Sequence, residues 1–197
     1  MSYIRTTYTD ETELIHSILK LYNDGEGVDL DPCYSKGRFW TGLPEPKLKF
    51  DLVPQTSGVV QASCTSLPLE NSSINSIMFD PPFVIGIGQS KSGIITNRFS
   101  GFKDIHSLKC MYWESLREFD RLLNKNGIVI FKCQDTVTSG KQFFTHLYII
   151  TEAYLLGYIV EDLFVLVRER AIMDPKWNGQ KHARKTHSYY IVLRKRK

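Results

Sequence analysis

No run of about 18 consecutive apolar residues occurs anywhere in the 197-residue chain, which excludes a membrane-spanning helix as a reading of any segment. The opening Met1-Ser2-Tyr3-Ile4-Arg5 lacks the apolar core of a secretory leader, so a cytoplasmic protein without a membrane partner is expected. Cysteine is scarce: Cys33, Cys64, Cys110 and Cys133 are far apart, with no Cys-x-x-Cys and no Cys/His pair at metal-ligand spacing. That argues against a disulfide framework and against a zinc site, and for reduced thiols with no bound metal. No segment repeats another, and none is large enough to stand as a separate second domain. A content of 42% hydrophobic and 12% aromatic residues suits one globular domain with a sizeable core. Gly86-Ile87-Gly88 has no third glycine in register and no helix directly behind it, so it is a poor phosphate loop.

Acidic residues are nearly missing from one end. Residues 168–197 hold 10 Lys/Arg against 2 Asp/Glu, whereas residues 1–167 hold 15 against 19, so the net charge of +4 conceals a basic tail on an acidic body. Such asymmetry points to a polyanionic partner, although a basic run is also an ordinary solvated surface.

The most informative stretch is Ser76-Ile77-Met78-Phe79-Asp80-Pro81-Pro82-Phe83. Residues 74–79 are apolar and bulky enough for a buried strand, which places Asp80 where a parallel sheet opens into its ligand crevice. Pro81 and Pro82 have fixed φ and no N–H, so the turn is stiff and the carbonyls of Asp80 and Pro81 are free to accept hydrogen bonds. A carboxylate, an aimed carbonyl and the Phe83 ring suit a planar base that carries an exocyclic amine.

Around this stretch the chain reads as alternating strands and helices. Asp10 caps a helix running to Tyr22, with Leu14, Ile15, Ile18, Leu21 and Tyr22 on one face. A short strand follows and ends in Asp31-Pro32-Cys33-Tyr34-Ser35-Lys36-Gly37, a turn whose small residues could let a nucleotide-like ligand approach the backbone. Strands are expected over 48–53 and 59–62; Asp51, late in the second, is placed to bind ribose hydroxyls. Residues 84–103 carry Lys91 and Arg98 among glycines and read as a hinged lid whose cations meet phosphates. A helix over 106–123, a buried strand over 128–133 and an apolar helix over 143–156 come next. The last of these is expected to start at a cap formed by residues 138–142, where Lys141 could hold a phosphate. Residues 159–167 and 188–194 form a terminal β-pair. The basic connection between them holds Trp177, Lys181, Arg184 and Lys185, cations for phosphate with a ring for stacking.

Asp80-Pro81-Pro82-Phe83 after an apolar strand resembles the (Asp/Asn/Ser)-Pro-Pro-(Tyr/Phe/Trp) motif of S-adenosylmethionine-dependent methyltransferases that act on exocyclic amines. Asp31, Pro32, Ser35 and Gly37 resemble by role the cofactor motif of that family, usually Asp-Pro-Phe-x-Gly-Ser-Gly, with Tyr34, Ser35 and Lys36 standing where more glycine is usual. Ser63-Cys64 occupies the turn where the family often has an Asp for the cofactor's adenine amine; the following Leu67-Pro68 is kept and the Asp is missing. The resemblance covers nearly the whole chain. It implies an α/β, Rossmann-like class I methyltransferase fold: a mostly parallel seven-stranded sheet with a terminal antiparallel β-pair, in one domain spanning 1–197 without a separate target-recognition domain.

It further implies S-adenosylmethionine as cofactor and methyl transfer to DNA, at adenine N6 or, given that cytosine enzymes more often begin the motif with Ser, less readily at cytosine N4. Asp80, Pro81, Pro82 and Phe83 would be catalytic. Asp31, Pro32, Ser35, Gly37, Asp51, Ser63 and Cys64 would hold the cofactor. Recognition would fall on loops, on a partner subunit or homodimer, or on short sequence context. The same tetrapeptide occurs in enzymes of RNA adenine and of protein amines and amides, and the altered cofactor loop leaves open a non-catalytic nucleic-acid-binding subunit.

Overall fold

A computed structural model describes residues 3–83, 85, 102–168 and 181–196. Eight strands form one sheet: β1 (Thr7–Tyr8), β2 (Leu30–Asp31), β3 (Leu48–Asp51), β4 (Val60–Gln61), β5 (Ile74–Phe79), β6 (Leu123–Cys133), β9 (Ile159–Val167) and β10 (His187–Arg194). Their order is β1-β9-β10-β6-β5-β2-β3-β4. From β4 to β6 every pairing is parallel; β10 runs antiparallel to both neighbours, Ile191 facing Phe131 on β6 and Leu163 on β9. The expected seven strands and terminal antiparallel pair are therefore present. The eighth strand, β1, was not anticipated. It is tied to the edge by Val165 N–H donating to Thr6 O at 2.7 Å and by the buried Tyr8 ring.

Side-chain alternation divides the core into two layers. On one face Ile77 and Phe79 of β5 join Val129, Phe131 and Ile191 beneath α2 (Ile105–Leu122) and α3 (Thr145–Leu155). Phe79 meets Phe119 and Phe131 edge-on, with centroids 4.8 and 4.9 Å away, a geometry worth about 0.5–1.5 kcal/mol per pair beyond area burial. On the other face Met78, Ile128, Ile130 and Val192 pack against α1 (Glu11–Tyr22). Asp10 caps α1 by accepting from Glu13 N–H at 2.7 Å, as its sequence predicts. Its buried stripe is Leu14, Ile15, Ile18 and Leu19; Leu21, expected inside, is 50% exposed.

The links between β2, β3, β4 and β5 hold one short 3₁₀ turn, Arg38–Trp40, and the first of these links is folded by side-chain bonds of Asp31, Tyr34 and Asp51. One further expectation is corrected. Residues 138–142 do not cap a helix. Ser139 and Gly140 both have positive φ, 49° and 72°, and make the tight two-residue turn of a hairpin between β7 (Thr136–Thr138) and β8 (Lys141–Phe143). Lys141 thus stands beside a hairpin tip, and α3 begins only at Thr145. Among the described residues no helix is long and apolar enough to cross a membrane.

Candidate functional site

Every strand from β4 to β6 points the same way, so their carboxyl ends share one edge of the sheet, and β5 delivers Asp80 to it. A cavity of about 170 Å³ opens there. It gathers seven residues picked out by sequence, namely Pro32, Ser35, Asp51, Ser63, Cys64, Asp80 and Pro82. Cys33, Leu52, Val53, Phe102 and Met111 complete the lining and were not anticipated as site residues. Leu52 and Val53 are 54% and 56% exposed and supply an apolar wall at the mouth.

The first wall is organised by Asp51. Its carboxylate accepts from Ser35 N–H and Val53 N–H, each at 2.8 Å, bending the β2 loop and the end of β3 around one anionic group. Ser35 reaches that position with φ of 54°. Gly37 does not line the cavity: its φ is 70°, and a Cβ there would lie 2.4 Å from the Tyr34 hydroxyl, so glycine is demanded by the turn and by the tyrosine ring. Asp31 is likewise set behind the wall. It is buried, accepts from Cys33 N–H at 2.8 Å and Trp40 Nε1–H at 2.7 Å, and so clamps the loop to the 3₁₀ turn. Burial, with the charges of Asp80 and Asp51 behind it, carries its carboxyl up to about 7, against the pull of its two donors.

At the second wall the Ser63 and Thr65 hydroxyls are 2.8 Å apart, and Ser63 O accepts from Ser66 N–H at 3.0 Å. Cys64 Sγ accepts from Ser115 Oγ at 3.4 Å. The neighbouring Cys33 thiol is bonded to it as well; that bond, with burial, raises Cys33, and together with the Ser115 bond it lowers Cys64.

Asp80 belongs to a buried charge cluster as well as to the cavity. Lys132, on β6, is 9% exposed and lies 2.8 Å from Asp80 Oδ2 and 2.7 Å from Glu11 Oε1. Burial raises the Asp80 carboxyl above the usual range, while Lys132 draws it down. Glu11 also accepts from the Tyr190 hydroxyl and lies 3.7 Å from Arg168; burial opposes its ionisation, but these partners hold its carboxyl low. Pro81 is buried; Phe83 is half-buried and, like Pro81, lies off the cavity lining.

The basic residues fall in two groups. Lys91, Arg98 and Trp177 lie outside the described residues, as does most of the expected lid. Ile85 and Phe102, at the two sides of that segment, form an isolated bridge, and Phe102 enters the cavity lining. Lys141 and the stretch holding Lys181, Arg184 and Lys185 are brought together, because His182 Nε2–H donates to Gly140 O at the hairpin tip at 2.9 Å. Beside the hairpin, the His146 ring lies 2.7 Å from the buried Asp135 and 4.3 Å from the Tyr189 ring centroid. Among the described residues no cluster of His, Cys, Asp and Glu could hold a metal ion.

No protein-family profile matches the sequence, and no curated protein is similar to it in sequence. Solved structures are similar in shape. An S-adenosylmethionine-dependent methyltransferase from Thermotoga maritima superimposes with a TM-score of 0.55 at 15% identity, over 98% of this chain and 91% of that one. Another from Archaeoglobus fulgidus gives 0.51 at 13% identity, over 93% and 94%. A Thermus thermophilus protein provisionally described as a DNA modification methylase, in complex with S-adenosylmethionine, gives 0.46 at 17% identity over 66% of this chain; the chain spans 51% of its length. The first two likenesses establish the fold, a Rossmann-like sheet of the class I methyltransferase type with its single antiparallel strand at β10.

Proposed function

We propose that the protein transfers a methyl group from S-adenosylmethionine to an exocyclic amine of a nucleobase in DNA, adenine N6 first. The observation that carries this reading is the convergence of Ser35, Asp51, Ser63 and Asp80 on one cavity at the carboxyl edge of a methyltransferase-type sheet. The residues present fit the cofactor: an anionic group for ribose hydroxyls in Asp51, an apolar wall in Leu52 and Val53, and a hydroxyl at Ser63 in place of the missing Asp. When bound, the cofactor supplies an electrophilic methyl group. Asp80 and the Pro81 carbonyl accept the hydrogens of the target amine and aim its lone pair, and Phe83 stacks on the flipped base. Positioning and preorganised charge then provide the rate enhancement, with no covalent nucleophile.

Lys141, Lys181, Arg184 and Lys185 form the phosphate-binding surface, around a hairpin at the edge of the sheet that bears Asp80. Arg184→Glu with Lys185→Glu is expected to weaken DNA binding by about tenfold or more at low salt and to reduce the slope of log K against log salt by about 2. Fluorescence anisotropy over a salt series measures both, and an unchanged slope places the DNA elsewhere.

The decisive test is transfer of labelled methyl to unmethylated DNA, with RNA in parallel, followed by nucleoside analysis. N6-methyladenine in DNA is the expected product. Methyl label in RNA or in basic protein, with none in DNA, would move the same chemistry to another polymer; failure to bind S-adenosylmethionine would leave a non-catalytic nucleic-acid-binding subunit. Because Cys64 lines the cavity with its thiol held low, iodoacetamide should modify it, and saturating S-adenosylmethionine should slow that modification by about tenfold. Peptide mass spectrometry reads the protection; equal rates with and without cofactor would place the cofactor away from this wall.

A further inference from the structure

A charged residue inside a buried parallel strand needs a compensating partner, and β6 carries one. Residues 128–133 are all buried, and Lys132 alone among them is charged. Its ammonium is gripped by two carboxylates from different elements, Asp80 after β5 and Glu11 in the first turn of α1. Two rings close over it, Phe39 at 5.2 Å and Tyr190 at 5.7 Å, so the cation sits in a cage with little water. The Coulomb interaction with Asp80 is correspondingly strong.

We propose that Lys132 is a positioning residue for the methyl-transfer site: it fixes the rotamer of Asp80 and keeps its carboxylate ionised, with Glu11 as the second anchor that sets how much of the lysine's charge Asp80 receives. The inference rests on the reading of Asp80 as the acceptor for the target amine. An ionised carboxylate presents acceptors alone, whereas a protonated one carries an O–H; with Oδ2 taken by the Lys132 ammonium, that O–H would sit on Oδ1 and turn a donor toward the amine. Lys132 leaves Oδ1 of Asp80 without a partner among the described residues, while Oδ2 is tethered. The anchoring is rigid, since the lysine is held from two sides and capped by rings.

The charges that reach Asp80 come from several elements. Lys132 on β6 and Arg168 after β9 favour the carboxylate; Glu11 on α1 opposes it, as does Asp31 at the end of β2, while the nearby hydroxyls of Tyr112 on α2 and Tyr190 on β10 are kept neutral by burial. Burial is the largest influence and favours the neutral acid. Removing Lys132 therefore raises the protonation midpoint of Asp80, and removing the charge of Glu11 lowers it. A residue that served only to fill space would not give shifts of opposite sign at its two ends.

The test uses ¹³C-carboxyl NMR of the Asp80 side chain, assigned by Asp80→Asn, alongside the pH dependence of methyl transfer. Lys132→Met should raise the midpoint by about one pH unit or more, Glu11→Gln should lower it, and Lys132→Arg should hold it near the wild-type value. The acid limb of kcat should move with the midpoint in each variant, while the Kd for S-adenosylmethionine changes by less than about threefold. If Lys132→Met does not fold, Glu11→Gln and Lys132→Arg carry the test. An Asp80 midpoint that fails to move in the folded variants, or moves without the acid limb following, overturns the proposal. Absence of methyl transfer by the wild-type protein on every polymer would instead refute the reading of Asp80, and the carboxyl titration would still decide whether Lys132 governs it.

Discussion

Asp80→Ala is expected to lower kcat/KM for methyl transfer by about a thousandfold or more, equivalent to ~4 kcal/mol of transition-state stabilisation, while cofactor affinity stays within about tenfold. The separation follows from the layout of the cavity. Asp51 and Ser63 belong to the β2–β4 side, whereas Asp80 follows β5 on the other side of the cavity, and its side chain is 29% exposed. Truncation takes away the amine acceptor and leaves the other wall intact. Nor does it strand a buried cation, because Glu11 remains 2.7 Å from Lys132. The fold should therefore persist, which circular dichroism and a calorimetric cofactor titration on the same preparation would check. Turnover within tenfold of wild type would remove Asp80 from the chemistry.

The elements that sequence revealed best are those where local and tertiary demands agree. β5 occupies residues 74–79 as predicted, because an apolar β-rich run stops at two prolines that can neither continue the ladder nor adopt another φ. The amphipathic stripes of α1 and α2 and the cap at Asp10 follow the same logic. Where prediction failed, the deciding contacts lie far apart in sequence or in unusual dihedrals. Ser139-Gly140 looked like a helix cap and is a hairpin turn, since a serine gives little sign that it will take φ of 49°. Trp40 reads as one more core aromatic, yet its indole N–H is what fixes Asp31. Glu11 looks like any acidic residue in a first helical turn. Lys132 did carry a signal: a lysine within an otherwise apolar strand must be neutralised, and the partner had to come from a neighbouring strand end or a covering helix. What sequence could not tell is that the partner would be Asp80.

Asp31 gives the second large effect, on stability. An aspartate in the unfolded chain titrates at about 3.9, and in the folded protein burial carries Asp31 to about 7. Between those values the folded state binds the extra proton. The contribution of Asp31 to stability is therefore fully present below about pH 4 and is lost as pH rises through about 7, to a limit of ~4 kcal/mol. Asp80, raised for the same reason, adds a change of the same sign; Asp29, Glu11 and Glu118, held low by their cationic and N–H partners, change stability in the opposite sense. Comparison with Asp31→Asn removes most of these shared contributions. Asparagine can accept from Cys33 N–H or Trp40 Nε1–H but presents an amide hydrogen to the other, so at low pH the variant should be the less stable protein. Toward pH 8 the difference should shrink or reverse, by several kcal/mol across the range. Urea denaturation at pH 4.5, 6 and 8 or thereabouts reads it directly. A difference that stayed constant with pH would mean that the Trp40 and Cys33 donors outweigh burial and keep Asp31 ionised, and the cofactor loop would then carry a fixed negative charge beneath Asp51 and Asp80.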